Sequence, residues 1–434
     1  MQVQKPKQGY KIVKTNFRKY LEIPSDWNVD KVKKHVEILV GYSFPSSEYS
    51  DNPDDIKLVR GDNVTEGRIR WEDKTRFWKN SSGLEKYLLY ENDFVISMDG
   101  SKVGKNYAYI TRNDVPSLLL QRVARLRTKE TLTQQYLGYI FGSPDFIDYV
   151  NSVKTNAAIP HISQKQIENF EFILLPKHEQ QKIASILSNI DYLIQQTQKE
   201  IEQTQRLKKG LMQKLLTKGI GHTTFKKTKL GEIPEEWKIV LLENCIHPNN
   251  PITYGIVQAG PHIENGIPYI RTGDMKNDRL SKIGMLCTSK EIVSKYKRSE
   301  VKTGELVFAI RATVGKVLEV PLELDGANLT QGTARISPNA EFNNRYLLNV
   351  LRSVYVQKQI REVIKGTTFA EITLHNLRKI KILKPSLTEQ KKIAGIFNNV
   401  DLILEKLIKK KSEFEILKKG LMQKLLTGQI RVKI

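Results

Sequence analysis

Residues Leu207–Thr217 read Leu-Lys-Lys-Gly-Leu-Met-Gln-Lys-Leu-Leu-Thr, and Leu417–Thr427 repeat the same eleven letters 210 positions later. Identity of that length requires an internal duplication, and a repeat constrains a fold more than composition does. Sliding the chain by the same period aligns Tyr20-Leu-Glu-Ile-Pro-Ser-Asp-Trp27 with Leu230-Gly-Glu-Ile-Pro-Glu-Glu-Trp237, and Glu179-Gln-Gln-Lys-Ile-Ala184 with Glu389-Gln-Lys-Lys-Ile-Ala394. Weaker matches recur between these anchors, Val103-Gly-Lys105 on Val314-Gly-Lys316 and Gln121-Arg-Val-Ala-Arg125 on Gln331-Gly-Thr-Ala-Arg335. The two halves have diverged unevenly.

At 434 residues the chain suits two or more cores, and each half is long enough to bury its own. The expected division is a basic arm at 1–19, an α+β domain at 20–176, a long helix at 177–219, a second α+β domain at 220–385, and a second long helix with a tail at 386–434. Asn16-Phe-Arg-Lys-Tyr20 echoes Thr224-Phe-Lys-Lys227 ahead of the second Glu-Ile-Pro, so the chain begins as its middle does. That echo predicts halves related by a pseudo-two-fold axis.

Within each α+β domain, short apolar runs separated by Gly, Asn and Asp read as strands. In the first domain these are Tyr87–Tyr90, Phe94–Ser97 and Tyr107–Ile110, followed by a helix over 133–153. The second domain repeats the order with Ile267–Ile270, Leu306–Ile310 and Thr333–Ile336, then a helix over 344–364. After Pro176, apolar or small residues fall at Ile183, Leu187, Ile190, Ile194, Thr197, Ile201, Thr204, Leu211 and Leu215, interrupted by Lys208. After Pro385 the same frame gives Ile393, Phe397, Val400, Leu404, Leu407, Phe414, Leu421 and Leu425, with Lys411 and Lys418 inside it.

This four-three alternation is a coiled-coil heptad pattern. About forty residues make a rod of roughly 60 Å, and two rods in a pseudo-symmetric chain pair most simply as an antiparallel coiled coil. The plainer arrangement packs each helix on its own domain. Gly210 and Gly420, at the same place in both rods, suggest close helix approach or a local bend, since glycine costs roughly 1 kcal/mol inside a helix.

Lys plus Arg exceed Asp plus Glu by 23, which calls for a polyanionic partner or surface, while 39% hydrophobic and 8% aromatic content are those of a folded chain. No run of eighteen apolar residues exists and Met1-Gln-Val-Gln-Lys-Pro-Lys7 carries no apolar core, so a membrane is not the expected partner and a cytoplasmic location is. Cys245 and Cys287 are the only cysteines and lie in no ligand spacing, which argues against zinc and a disulfide framework and for two buried thiols.

Catalytic signatures are missing. Pro248-Asn-Asn-Pro251 is a superficial echo of an amino-methyltransferase motif, and no G-x-G-x-x-G follows a strand. Gly100-Ser-Lys-Val-Gly-Lys105 is one residue short of a phosphate loop, with Asn106 where a hydroxyl belongs. Pro53-Asp-Asp-Ile-Lys57 has adjacent carboxylates and reads as a turn entering a strand. No H-E-x-x-H or triad motif occurs, so the reading is of a chain that is not an enzyme and holds no metal or cofactor.

What remains is a set of donor-rich loops at equivalent places in both domains. Leu58–Asn63 and Met98–Lys105 offer Arg60, Asn63, Ser101, Lys102 and Lys105; Tyr269–Asp274, with Lys276 just beyond it, and Ile310–Lys316 offer Arg271, Lys276, Arg311, Thr313 and Lys316. Arginine can read guanine edges while lysine and backbone amides hold phosphates, which suits double-stranded DNA. Arg125 and Arg335 follow strand alternation and read as partners of buried carboxylates.

These residues together resemble the specificity subunit of a type I restriction-modification system. The likeness covers essentially the whole chain and is carried most specifically by Pro followed by Glu-Gln-x-Lys-Ile-Ala and by the duplicated eleven-residue stretch. Met98-Asp-Gly-Ser-Lys-Val-Gly-Lys105, Gln121–Arg125, Gly304-Glu-Leu-Val-Phe308 and Gly366-Thr-Thr-Phe369 add to it. The resemblance implies two target-recognition domains, each reading half of a split DNA target, with paired helices setting the gap. It also implies that two DNA methyltransferase (modification) subunits and restriction/translocase subunits assemble on the chain and hold the methyl donor and ATP. Val153-Lys-Thr-Asn-Ala-Ala158 lacks the Gly-Thr-Thr of its counterpart, so a contact at Thr367 or Thr368 does not carry over to the first half. The alternatives are a stand-alone DNA-modifying or DNA-cleaving enzyme built from scattered carboxylates, and a self-dimerising DNA-binding regulator.

Overall fold

Phe94-Val-Ile-Ser97 and Leu306-Val-Phe-Ala309 are buried along their whole length, so each runs through the middle of a sheet and is covered on both faces. The computed structural model of the chain describes residues 5–18, 20–71, 75–276, 278–364 and 370–433. It divides into two units, residues 1–197 with 410–434, and residues 198–409. Each unit therefore holds the start of one long helix and the end of the other.

In the first unit the main sheet is antiparallel, in the order Tyr107–Tyr109, Phe94–Ser97, Val123–Thr128, Val36–Val40. A second sheet sets Ile56–Val59 parallel to Ser117–Leu119, with Phe77–Trp78 and Leu88–Leu89 outside them. Two-stranded ribbons pair Tyr10–Val13 with Leu21–Pro24 and Asn28–Lys31 with Glu171–Leu174.

The second unit repeats this arrangement. Its main sheet runs Val317–Glu319, Leu306–Ala309, Thr333–Ile336, Thr253–Tyr254. Its second sheet sets Ile267–Ile270 parallel to Asn328–Leu329, with Cys287–Thr288 antiparallel outside. The ribbons are Phe225–Thr228 with Gly231–Pro234 and Lys238–Leu241 with Lys381–Lys384. Residues 10–13 of the first unit thus do what 225–228 do in the second, whereas the sequence echo matches Phe17, outside this ribbon, to Phe225.

The helices expected over 133–153 and 344–364 are each broken in two. Gln134–Phe141 stops at Gly142, and Pro144–Val153 restarts with the Ser143 side chain accepting from the Phe146 amide, a serine cap followed by proline at the first helical position. Asn344–Arg352 and Val354–Val363 also break at a serine, Ser353, but its hydroxyl donates back to the Val350 carbonyl at 2.5 Å and does not cap the second helix. The expected strand at 87–90 shrinks to Leu88–Leu89 behind a 3-10 turn at Glu85–Tyr87.

The long helices run over Lys177–Lys218 and Leu387–Leu426. Ile183, Ala184 and Leu187 join the first unit's core together with Met422 and Leu425 from the far end of the second helix. Reciprocally, Leu215 and Leu216 join Ile393, Ala394 and Phe397 in the second unit's core. The start of one helix beside the end of the other makes the pairing antiparallel. The plainer arrangement is thus half realised, because each helix begins on its own domain and ends in the core of the other unit.

The lysines that interrupt the heptads are paired. Lys208 reaches Asp401 at 2.5 Å and Lys418 reaches Asp191 at 2.6 Å, the same cross-helix ion pair in each unit. Every expected seam position is inward: Ile183, Leu187, Ile190, Leu215, Ile393, Phe397, Val400 and Leu425 are buried, and Ile194, Leu211, Leu404 and Leu421 half-buried. The expectation of close approach at Gly210 and Gly420 fails, since a methyl group built at either would meet nothing within 4 Å.

The aligned motifs meet around one carboxylate per unit, Glu179 buried and Glu389 half-buried. Trp27 Nε1 donates to Glu179 at 3.1 Å, and Trp237 Nε1 donates to Glu389 at 3.0 Å. Arg431 closes over Glu179, and His222 over Glu389 at 2.9 Å. The neighbouring Gln180 and Gln390 bridge backbone groups of the preceding segments, accepting from the Thr133 and Asn343 amides at 2.9 Å each. Glu-Gln-x-Lys-Ile-Ala is therefore the latch by which a long helix seats on its domain.

Candidate nucleic-acid interface

In the first unit the loops at one end of the sheets converge. Arg60 closes a turn with Asn63 directly after Ile56–Val59, and a Cβ on the intervening Gly61 would lie 2.9 Å from Asp99 Oδ1. Asp99 in turn accepts from Arg122 at 3.0 Å and bridges to His161. Beside Arg122, Gln121 accepts from Ser43 at 2.8 Å. Ser101, Lys102 and Lys105 stand exposed on the adjoining loop, anchored by the buried Val103 and Gly104.

Asn63 does not belong to the exposed set. It is 1% exposed, and its side chain accepts from the Arg60 amide at 3.2 Å and donates to the Arg70 carbonyl at 3.0 Å. Its amide holds the turn that presents Arg60.

In the second unit Asp274 takes the place of Asn63. It accepts from the Arg271 amide at 2.9 Å and also grips the Arg271 guanidinium, Nε at 3.0 Å and a terminal nitrogen at 2.7 Å. Those hydrogen bonds raise the Arg271 pKa above its already high ordinary value. Arg271, Thr272, Arg311 and Gln331 line one shallow groove, and Arg311 and Gln331 also border a second with Tyr254 and Glu371.

Arg311 occupies the position of Asp99. It bridges to Glu371 as Asp99 bridges to His161, and its guanidinium reaches Glu371 at 3.0 Å. Lys276 and Thr313 are exposed, while Lys316 is half-buried and donates to the Lys276 carbonyl at 2.7 Å. The Gly366–Phe369 stretch, with Thr367 and Thr368, lies outside the described residues.

The loops picked out from sequence are thus brought together, domain by domain, but three kinds of residue were missed. Asp99 and Glu371 hold arginines in place, Ser43 and Thr272 line the same surface, and Gln121 and Gln331 project from it. In the sequence the two glutamines stand out only as aligned letters of the repeat. Of the two thiols, Cys245 is buried and pushed up to about 12 by that burial, while Cys287 is only half-buried. Among the described residues no group of three or more His, Cys, Asp or Glu side chains is placed to hold a metal ion, and no helix is long and apolar enough to cross a membrane.

The family described as type I restriction modification DNA specificity domain matches this chain twice, over residues 24–203 and 237–415. Similar proteins include the type I restriction enzyme MjaVIII specificity subunit of Methanocaldococcus jannaschii, 28% identical over 96% of this chain and 96% of that one. The EcoBI specificity subunit of Escherichia coli is 26% identical over 88% of this chain and 81% of its own. Among solved structures, the type I restriction-modification S subunit from M. genitalium shares the fold with a TM-score of 0.58 at 17% identity, covering 92% of this chain and 96% of that one.

Proposed function

The chain belongs to the type I restriction-modification DNA specificity family, and from that premise we propose that it reads a two-part target in double-stranded DNA, one half with each α+β domain. It does so as the non-catalytic specificity subunit of a cytoplasmic complex whose modification and restriction subunits carry the chemistry. The observation that carries this reading is the pairing of a constant scaffold with inconstant loops. Both units share one topology, yet Asp99 stands where Arg311 does and Asn63 where Asp274 does.

Two modification subunits fit the helices. Tyr192, Leu193, Ile416 and Leu417 are exposed on the helix segments of the first unit, and Leu207, Leu402 and Ile403 at the corresponding places of the second. Two like apolar patches suit two copies of one partner.

Incubating the purified chain alone with DNA, magnesium and S-adenosylmethionine is expected to give no turnover. Adding its modification subunits is expected to give methylation confined to a bipartite motif. Arg60→Ala and Arg271→Ala are each expected to relax one half-site only, by about 1–3 kcal/mol; equal weakening on every sequence would make either residue a phosphate contact.

Helix length sets the gap in this reading. Seven residues added after Gln203, matched by seven in the facing stretch near Lys406, lengthen the pair by about 10 Å, close to three base-pair steps. The methylated motif should keep both half-sites and widen its spacer. Altered half-site sequences would count against the helices as the spacer.

A further inference from the structure

Gln121 and Gln331 occupy one position of the duplicated fold. The residue before each forms a bridge to Tyr42 or Ile256. The glutamine amides then donate to the carbonyls of those same residues, at 2.7 Å for Gln121 and 2.9 Å for Gln331. The chains pass so closely here that a Cβ on Gly41 or Gly255 would stand 2.2 or 2.0 Å from a leucine carbonyl oxygen. Backbone contact this tight fixes where both side chains leave the surface.

Around this fixed point the neighbours differ. Ser43 is matched by Val257, Arg122 by Gly332, and Asp99 by Arg311. A side chain kept constant among substituted neighbours is explained by packing if it is buried, but both glutamines are exposed. Among the described residues the Gln331 side-chain carboxamide has no hydrogen-bond partner, its backbone N–H alone being engaged. Among the described residues the Gln121 side chain accepts only the Ser43 hydroxyl, which leaves its NH2 group and one lone pair of Oε1 uncommitted.

The surrounding charges are already engaged. Arg271 is held by Asp274, Arg311 by Glu371 and Arg122 by Asp99. The carboxamide is the neighbouring group with an adjacent donor and acceptor both on offer. In the major groove adenine alone presents the complementary pair, a donor at N6 beside an acceptor at N7, whereas guanine presents two acceptors and cytosine a donor.

We propose that Gln121 and Gln331 are specificity-determining residues, each reading an adenine through its major-groove edge, one adenine in each half of the target. The assignment rests on the reading that each domain takes one half-site.

The test uses the full chain assembled with its modification subunits and a DNA library randomised across both half-sites. Wild type, Gln121→Ala, Gln331→Ala and Gln331→Glu are compared by sequencing the bound fraction. Gln331→Ala is expected to reduce the preference for adenine at one position of one half-site about 5- to 100-fold, leaving the other half-site as it was. Gln121→Ala should do the same in the other half, and Gln331→Glu should move the preference at its position to cytosine, whose N4 donates to a carboxylate.

Uniform weakening, or loss of preference at a G·C pair, overturns the assignment. A wild-type adenine preference that survives Gln331→Ala overturns the assignment alone, whereas a wild-type complex without two half-sites overturns the two-part reading along with it.

Discussion

Replacing Glu305 by alanine should cost the second domain about 3–5 kcal/mol, because it strands a buried guanidinium. Arg335 sits on the central strand Thr333–Ile336 with 8% of its side chain exposed. Glu305, itself 10% exposed, meets it with two parallel hydrogen bonds at 2.9 and 2.7 Å. Without the carboxylate, a buried guanidinium would keep two neutral acceptors, the Arg298 carbonyl at 3.2 Å and the Asn250 side-chain oxygen at 3.1 Å, and Lys302 would lose the acceptor for its backbone amide. Denaturant unfolding followed through Trp237, which is buried in the same unit, measures the loss; a change below about 1 kcal/mol would mean that water reaches Arg335 easily.

The first domain should suffer less from the equivalent change, Asp93→Ala. Asp93 stands before Phe94–Ser97 as Glu305 stands before Leu306–Ala309, but it pairs with Arg127, whose side chain is 35% exposed and can recover solvation. Strand alternation in the sequence points to Arg125 as the residue matching Arg335. In the structure the shorter carboxylate reaches Arg127, two positions further along the same face. Arg125 is left with the Lys86 carbonyl at 3.1 Å and with Glu37, 66% exposed, at 3.3 Å, and its pKa is lowered first by burial and then by its neighbour Arg127. The residue face was legible; the choice between two arginines on that face depended on one methylene.

The same limit recurs in the helices. Period and identity mark Leu211, Leu215, Leu421 and Leu425 as inward residues; Leu215 and Leu425 are buried and Leu211 and Leu421 half-buried. Period and identity do not say against what. Leu215 and Leu216, and Met422 and Leu425, of the duplicated eleven-residue stretch are spent on closing the cores. The exposed apolar residues Tyr192, Leu193 and Ile416 lie off the heptad frame and carry no periodic signal of their own. Trp27 and Glu179 are 152 residues apart, and no local rule joins a Glu-Ile-Pro-x-x-Trp turn to a carboxylate on a helix; only their joint recurrence 210 residues on hinted that they belong together. In the loops, the same turn is closed by Asn63 in one copy and Asp274 in the other. A polar residue three places after an arginine reads equally well as a ligand contact or a cap, and only burial separates the two.

Binding to the two-part target is expected to fall by about three to five orders of magnitude between ~50 and ~200 mM salt, as it does for a protein that neutralises six or more phosphates. An excess of 23 positive charges is not by itself enough to predict this, because many cations are already paired. Arg122, Arg271, Arg311 and Arg335 each face a carboxylate within the fold, and a cation so held releases few counterions. The charges that remain at the converging loops are lysines: Lys102, Lys105 and Lys276 are exposed, and their ammonium groups have no partner among the described residues. Compact ammonium groups on flexible stems suit phosphates better than base edges. Each Lys→Ala change at these three sites should therefore weaken binding to all sequences alike and flatten the plot of log affinity against log salt by about one unit. Substituting Gln331, which carries no charge, should leave that slope unchanged while altering base preference. A wild-type slope near zero would exclude DNA as the partner, and a lysine variant that changed base preference without changing the slope would move that residue from the phosphates to the bases.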